Sequence, residues 1–296
     1  MPQNFPEVWL GRVRNKIESI ALAPWLEGVE ELQVPITVVG EGPSEKNIIY
    51  VPTSEFEVDL LINNNTYPIE IQQYTDDLIQ ITLDKYQTKA TSIKEDDAIG
   101  ASYDKIDNAT KQHPISITGG KYAKAIHSMC PMGNTDDTPI IQCTGVDDGT
   151  GRKRFTYDNL VEVSERAKAK NSICHVVLNN KHWHDILLDR KNFGDKIVNY
   201  IKGKPAPEIS GLKLFQHTTD MPLLTAALAK KPFGSVREAT DKEASVVFNL
   251  SKVVKKTGFT RQYYDKPTTL MQQHLVNYRH YFVATPYKNE GIGAIV

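Results

Sequence analysis

The chain has 296 residues, long enough to bury about three quarters of the surface its unfolded form exposes, so it needs neither disulfides nor a structural metal to fold. Hydrophobic residues at 40% and charged residues at 24% are ordinary for a globular protein, and no segment approaches the roughly 20 apolar residues of a membrane-spanning helix. Lys and Arg number 35 against 36 Asp and Glu, a net charge of -1, which excludes a surface that holds nucleic acid mainly by neutralising phosphates.

Cys130, Cys143 and Cys174 are an odd number at wide spacing, which makes neither a disulfide framework nor a CxxC metal knuckle and fits a reducing compartment. The N-terminus, Met1-Pro2-Gln3-Asn4-Phe5, has no basic segment followed by an apolar one, so no signal peptide is expected. The Asn-x-Ser/Thr matches at Asn64, Asn108 and Asn249 therefore carry no chemical consequence.

Along the chain, Val8, Leu10, Val13, Ile17 and Ile20 fall at helical intervals, and Pro24 and Gly28 end the run; this predicts a short amphipathic helix on an arm. From 32 to 83 the pattern turns to β, with strands over 34–39, 48–51, 56–62 and 67–73. If Asn63-Asn64-Asn65-Thr66 is the turn, Ile62 faces Tyr67, Leu60 faces Ile69 and Val58 faces Ile71, so six apolar side chains share one face. Two strands alone are marginal in water, and Pro68 cannot donate to a ladder. The apolar face must lie on something else, and the residues leave open whether that is the chain's own domain or another molecule.

Residues 84–129 read as mostly helical, broken at Gly100, Pro114 and Gly119-Gly120, with 122–129 the clearest turns. Loops around one short strand, 140–144, follow. An α/β stretch comes next: a helix over 157–170, capped by Thr156 or Asp158 and burying Leu160, Val163 and Ala167, then a strand over 173–178. A helix over 182–188, a strand over 212–216 and a Leu- and Ala-rich helical patch over 223–229 complete it. Strands over 245–250, 258–263, 275–284 and 291–296 close the chain as an antiparallel sheet.

Catalytic and metal-binding patterns fail one by one. Gly149-Thr150-Gly151 lacks the third glycine of a dinucleotide turn, and Gly119-Gly120-Lys121-Tyr122 lacks the hydroxyl of a phosphate loop. His182 and His184, two apart on a helix, point to nearly opposite sides. Cys174 and His175 are neighbours in a strand and face opposite sheet surfaces. The acidic pairs Asp136-Asp137 and Asp147-Asp148 lack calcium-loop spacing. The basic groups Arg12-Arg14-Lys16, Arg152-Lys153-Arg154 and Lys252-Lys255-Lys256 are scattered and read as solvated faces or subunit contacts.

Several segments and their order carry a likeness. They are Val8-Trp9-Leu10-Gly11-Arg12-Val13, YPIEIQQYTDDLIQITLDK at 67–85, VLNNKHWHDILLDRKNF at 177–193, ISGLKLFQ at 209–216, VVFNLSKVVKKTGFTRQYY at 246–264 and HYFVATPYKNEGIGAIV at 280–296. The chain resembles the major capsid proteins of tailed bacteriophages, the Hong Kong 97-type fold, over nearly its whole length. The resemblance implies an α+β fold: an N-terminal arm at 1–32 and an extended β-hairpin loop at 33–83. It further implies a peripheral domain with spine helix and closing sheet at 84–144 and 245–296, and an axial α/β domain at 145–244.

The function implied is that of a shell subunit in a virion, assembled in the host cytoplasm and closing an icosahedral container for double-stranded DNA. Its partners would be copies of itself, in hexamers and pentamers, with scaffold, portal and decoration proteins besides, and no membrane. DNA would be contents held without sequence-specific contacts. No catalytic residue, cofactor or metal is implied. The arm starts near Met1, whereas family members often begin with a long scaffolding segment, so a separate scaffold protein or none is expected. The candidate interface residues are Trp9, Leu10, Val13, Val58, Leu60, Ile62, Tyr67, Ile69 and Ile71. Two rivals stand beside this reading: an encapsulin-like nanocompartment shell of the same fold, and a cytosolic α/β enzyme that gathers His175, His182, His184 and Asp185 at a concave site.

Overall fold

The computed structural model describes residues 6–17, 23–40, 45–54, 58–73, 76–94, 104–166, 173–193, 208–209, 211–217, 220–266, 268 and 272–296. In chain order the elements are α1 (Pro6–Ile17), β1 (Glu30–Glu31), β2 (Thr37–Val39), β3 (Lys46–Ser54), β4 (Asp76–Thr82), β5 (Asp84–Gln87), β6 (Thr91–Lys94) and α2 (Asp104–Met129). Next come β7 (Ile140–Ile141), α3 (Tyr157–Arg166), β8 (Cys174–Leu178), α4 (Asn180–Leu188), α5 (Arg190–Phe193), β9 (Glu208–Ile209) and β10 (Leu212–Gln216). The last are β11 (Leu223–Leu224), β12 (Lys242–Glu243), β13 (Ser245–Asn249), β14 (Val253–Asp265), β15 (Gln273–Pro286) and β16 (Ile292–Ile295).

One six-stranded sheet, in the order β7-β16-β13-β8-β10-β9, is covered on both faces. Period-two alternation sorts its side chains. Val177, Val246, Phe248, Ile292 and Ala294 pack with Trp25 and with Tyr122, Ile126 and Met129 of α2. Val176, Leu178, Val247 and Ile295 pack on the other face with Leu160 and Val163 of α3 and Ile186 of α4. Trp25 is fully buried, its ring edge-on to Tyr122, His217 and Phe248 at 6.0 to 6.3 Å.

The second sheet is β1-β14-β15-β5, with β6 also on β15, and the third is β2-β3-β4. The closing strands are thus divided. β14 and β15 pair antiparallel as expected, but β13 and β16 join the six-stranded sheet, beside β8 and β7. That sheet also runs across positions 145 and 244, where domain boundaries are expected from the sequence.

Three local expectations are overturned. Residues 84–94 are strands β5 and β6, not helix, because β15 supplies their ladder through pairs such as Tyr86↔His280 and Thr91↔Val276. Helix α2 runs unbroken through Pro114, Gly119 and Gly120. The cost of an interior proline, about 3 kcal/mol, is offset by an uninterrupted buried stripe, in which Thr118, Tyr122, Ala125, Ile126 and Met129 recur at three- and four-residue steps. The Leu- and Ala-rich patch is not helical: Leu223 and Leu224 pair with β12, and a turn closes where Leu228 N–H and Ala229 N–H donate to Thr225.

The expected helix over 157–170 is described as α3 to Arg166, with Ala167 outside the described residues.

Candidate subunit interface

Strands β3 and β4 form the base of a ribbon, in register from Ile48↔Thr82 to Ser54↔Asp76. Near the base the ribbon is covered by its own chain. Ile49, Val51, Ile81 and Leu83 are buried against Leu32, Val254, Tyr281 and Val283 of the neighbouring sheet. On the opposite face Tyr50 is exposed, and toward the far end Leu78 is exposed as well.

Beyond it the six expected residues lie open. Val58, Leu60, Ile62, Tyr67, Ile69 and Ile71 are 53 to 93% exposed, and Leu61 joins them. The expected turn is present: Asn63 has a left-handed φ of 54°, Thr66 N–H donates to Asn64 Oδ1 at 2.9 Å and Asn64 Nδ2 donates to Thr66 O at 3.0 Å. The Tyr67–Pro68 peptide is cis.

The expected strand pairing is not. Residues 58–73 form no strand, and Asp59 N–H donates instead to the side-chain Oε1 of Gln72 at 3.1 Å. The ladder of β3 and β4, continued from Ser54↔Asp76, would bring Val58 opposite Gln72 and Ile62 opposite Pro68. That is one residue away from the expected register, and a one-residue slip transfers every side chain to the other face. With no strand over 58–73, the apolar residues are unpaired as well as uncovered. Monomeric proteins rarely expose contiguous apolar patches beyond a few hundred Å².

The arm is placed differently. Val13 and Ile17 are buried against Ile117 of α2 and Val276 and Tyr278 of β15, with Leu10 packed alongside. Lys121 Nζ donates to Ile17 O at the end of α1. The described stripe of the arm is thus absorbed by its own chain, and Trp9 lies in α1 with its side chain outside what the structure describes.

The four residues of the enzyme rival do not converge. His175 is buried on the Trp25 side of the sheet, its Nδ1 2.8 Å from Trp25 O. His182 lies on the opposite side, stacked on Phe155, with Nδ1 2.7 Å from Ser245 Oγ and Nε2 3.6 Å from Cys143 Sγ. His184 is exposed. Asp185 is buried and accepts both arms of the Arg152 guanidinium and the Phe155 N–H.

The Cys143–His182 contact is not a primed nucleophile and base. Burial pushes the Cys143 thiol up to about 12 and the His182 imidazole down to about 4, so both are neutral at pH 7. Among the described residues no group of three His, Cys, Asp or Glu side chains could hold a metal ion.

No protein-family model matches the sequence, and no curated protein matches it. Solved structures do. The capsid of a native GTA particle aligns at a TM-score of 0.61 and 12% identity, over 94% of this chain and 90% of that one. The capsid of Ralstonia phage GP4 aligns at 0.58 and 8%, over 84% and 82%. A virus-like particle from Pyrococcus furiosus aligns at 0.54 and 10%, over 98% and 96%.

This is the Hong Kong 97-type capsid fold.

Proposed function

We propose that the chain is a phage major capsid protein, a non-enzymatic subunit whose work is to assemble with copies of itself into an icosahedral shell around double-stranded DNA. The observation that carries this is the ribbon end, where seven large apolar side chains between Val58 and Ile71 are exposed and unpaired. A sister subunit supplies the missing cover. The interface residues are Val58, Leu60, Ile62, Tyr67, Ile69 and Ile71, and obligate contacts of about 2,000 to 5,000 Å² per interface are the expected scale.

In this reading 1–32 is the arm, 33–83 the extended loop, 84–144 with 245–296 the peripheral domain, and 145–244 the axial domain. Scaffold, portal and decoration proteins are further partners, and the shell forms in the host cytoplasm. The net charge of -1 agrees with a wall that confines DNA and does not grip it. Electron microscopy of the purified full chain, alone and with a scaffold protein if one is encoded beside it, tests the proposal. Shells or capsomers support it; a monomer under both conditions overturns it.

A further inference from the structure

Four strands of the six-stranded sheet, β7, β8, β10 and β16, finish at the same edge, as their parallel pairs and the antiparallel β13 require. In sheets of parallel strands with helical crossovers, ligands gather outside the carboxyl ends. Here a cleft of about 520 Å³ lies at that edge. It is walled by the chain that follows β7, the turn at 150–153, the start of α4 and the segment 237–243 that leads into β13.

Among the side chains that line this cleft, the acids are paired. Asp241 is occupied by Lys231 at 2.7 Å and Glu243 by Arg237 at 3.5 Å. The Arg152 fork is closed on Asp185 and Asp148. That leaves Lys153, Lys181 and Lys242, which line the cleft from three separate segments, are exposed, and make no ion pair with another described residue.

The donors on offer select the ligand. Arg152 is held by Asp185 and Asp148, and Arg237 meets Glu243 through Nη1 alone, which leaves the three lysine ammoniums as the cations without an ion pair among the described residues. Ammonium point charges suit phosphoryl oxygens, and Thr240 also lines the cleft. Three ammoniums set around a volume in the small-molecule range carry charge enough for several anionic groups on one molecule. We propose that this cleft binds a polyanion through two or more phosphoryl groups, held by Lys153, Lys181 and Lys242.

The inference does not depend on shell assembly, and unassembled full-length protein is the material for the test. Pyrophosphate is titrated calorimetrically at low ionic strength into three proteins: the natural chain, Lys181→Gln/Lys242→Gln, and Lys46→Gln/Lys266→Gln, which removes the same charge from exposed sites outside the cleft. Saturable binding to the natural chain and the distant variant, weaker by roughly tenfold or more in the cleft variant, with ligand-free melting temperatures alike, supports the site. A short single-stranded oligodeoxynucleotide then separates the sources. Displacement of pyrophosphate assigns the phosphoryl groups to a polynucleotide backbone, and retention assigns them to a free polyphosphate; both keep the cleft as the site. No saturable heat with the natural chain, or equal affinity in the two variants, overturns it.

Discussion

Arg152 and Asp185, 33 positions apart, form a two-point ion pair: Nη1 reaches Oδ2 at 2.7 Å and Nη2 reaches Oδ1 at 2.9 Å. The same carboxylate accepts the Phe155 N–H at 3.0 Å, so it pins the turn carrying Arg152 onto α4. Asp185→Ala strands both donors beside the buried Phe155. The expected loss of stability is about 3 kcal/mol, read as a lower urea midpoint with an unchanged slope. Asp185→Asn retains acceptor capacity and loses less. Equal stability of all three proteins contradicts this role.

Two buried imidazoles make stability depend on acid. Burial, then the Lys121 ammonium, holds His280 at about 3, and burial first of all holds His182 at about 4. Both lie below the ordinary value of about 6.5, so from about pH 6.5 down to about 4 for His182 and about 3 for His280 the unfolded chain takes up protons that the folded chain refuses. Stability therefore falls as pH drops through that window and levels off below it, by on the order of 3 kcal/mol for each histidine. Urea melts of the unassembled protein between pH 7 and pH 4 measure the fall. A flat profile contradicts it.

All three thiols are buried and none is in a disulfide. Burial pushes Cys130 and Cys143 up to about 12 and raises Cys174. The thiolate is the reactive species, so iodoacetamide at pH 8 labels none of them in the native protein and all three in urea. Cys143 is the informative one, because it borders the cleft; its rapid native labelling would contradict the assignment of a neutral thiol.

Gly258 sits at the irregularity in the β14–β15 ladder, between Thr257 and Thr260. A Cβ there would lie 2.7 Å from Tyr281 Cβ and 3.0 Å from Leu83 Cδ2, in the layer that anchors the ribbon base. Gly258→Ala is expected to cost about 1 to 3 kcal/mol, measured by thermal melting; an unchanged midpoint would contradict the close packing.

What the sequence revealed follows from how local each cause is. Strands β8 and β10 were legible because each is a short apolar run, and α3 because Leu160 and Val163 recur at helical spacing. The Asn63–Thr66 turn was legible from residues that bond to their own backbone. Strands β5 and β6 were not, since their partner β15 lies far along the chain. Nor was the continuity of α2, which depends on packing along β15 and overrides the proline and glycines. For the ribbon, composition named the exposed residues, but 58–73 form no strand, so the expected pairing has no counterpart in the structure. The lysine cleft was not legible: Lys153 stood out only within the basic group 152–154, and Lys181 and Lys242 are brought to it by the sheet edge.

The most direct test of the shell reading is solvent access at Ile71, the most exposed of the ribbon's apolar residues at 93%. With the native thiols buried, Ile71→Cys provides a single reporter for maleimide. We expect rapid labelling in the dissociated subunit and slowing by at least tenfold in assembled particles, as a neighbouring copy covers the site. Equal labelling rates in the two states would contradict the account.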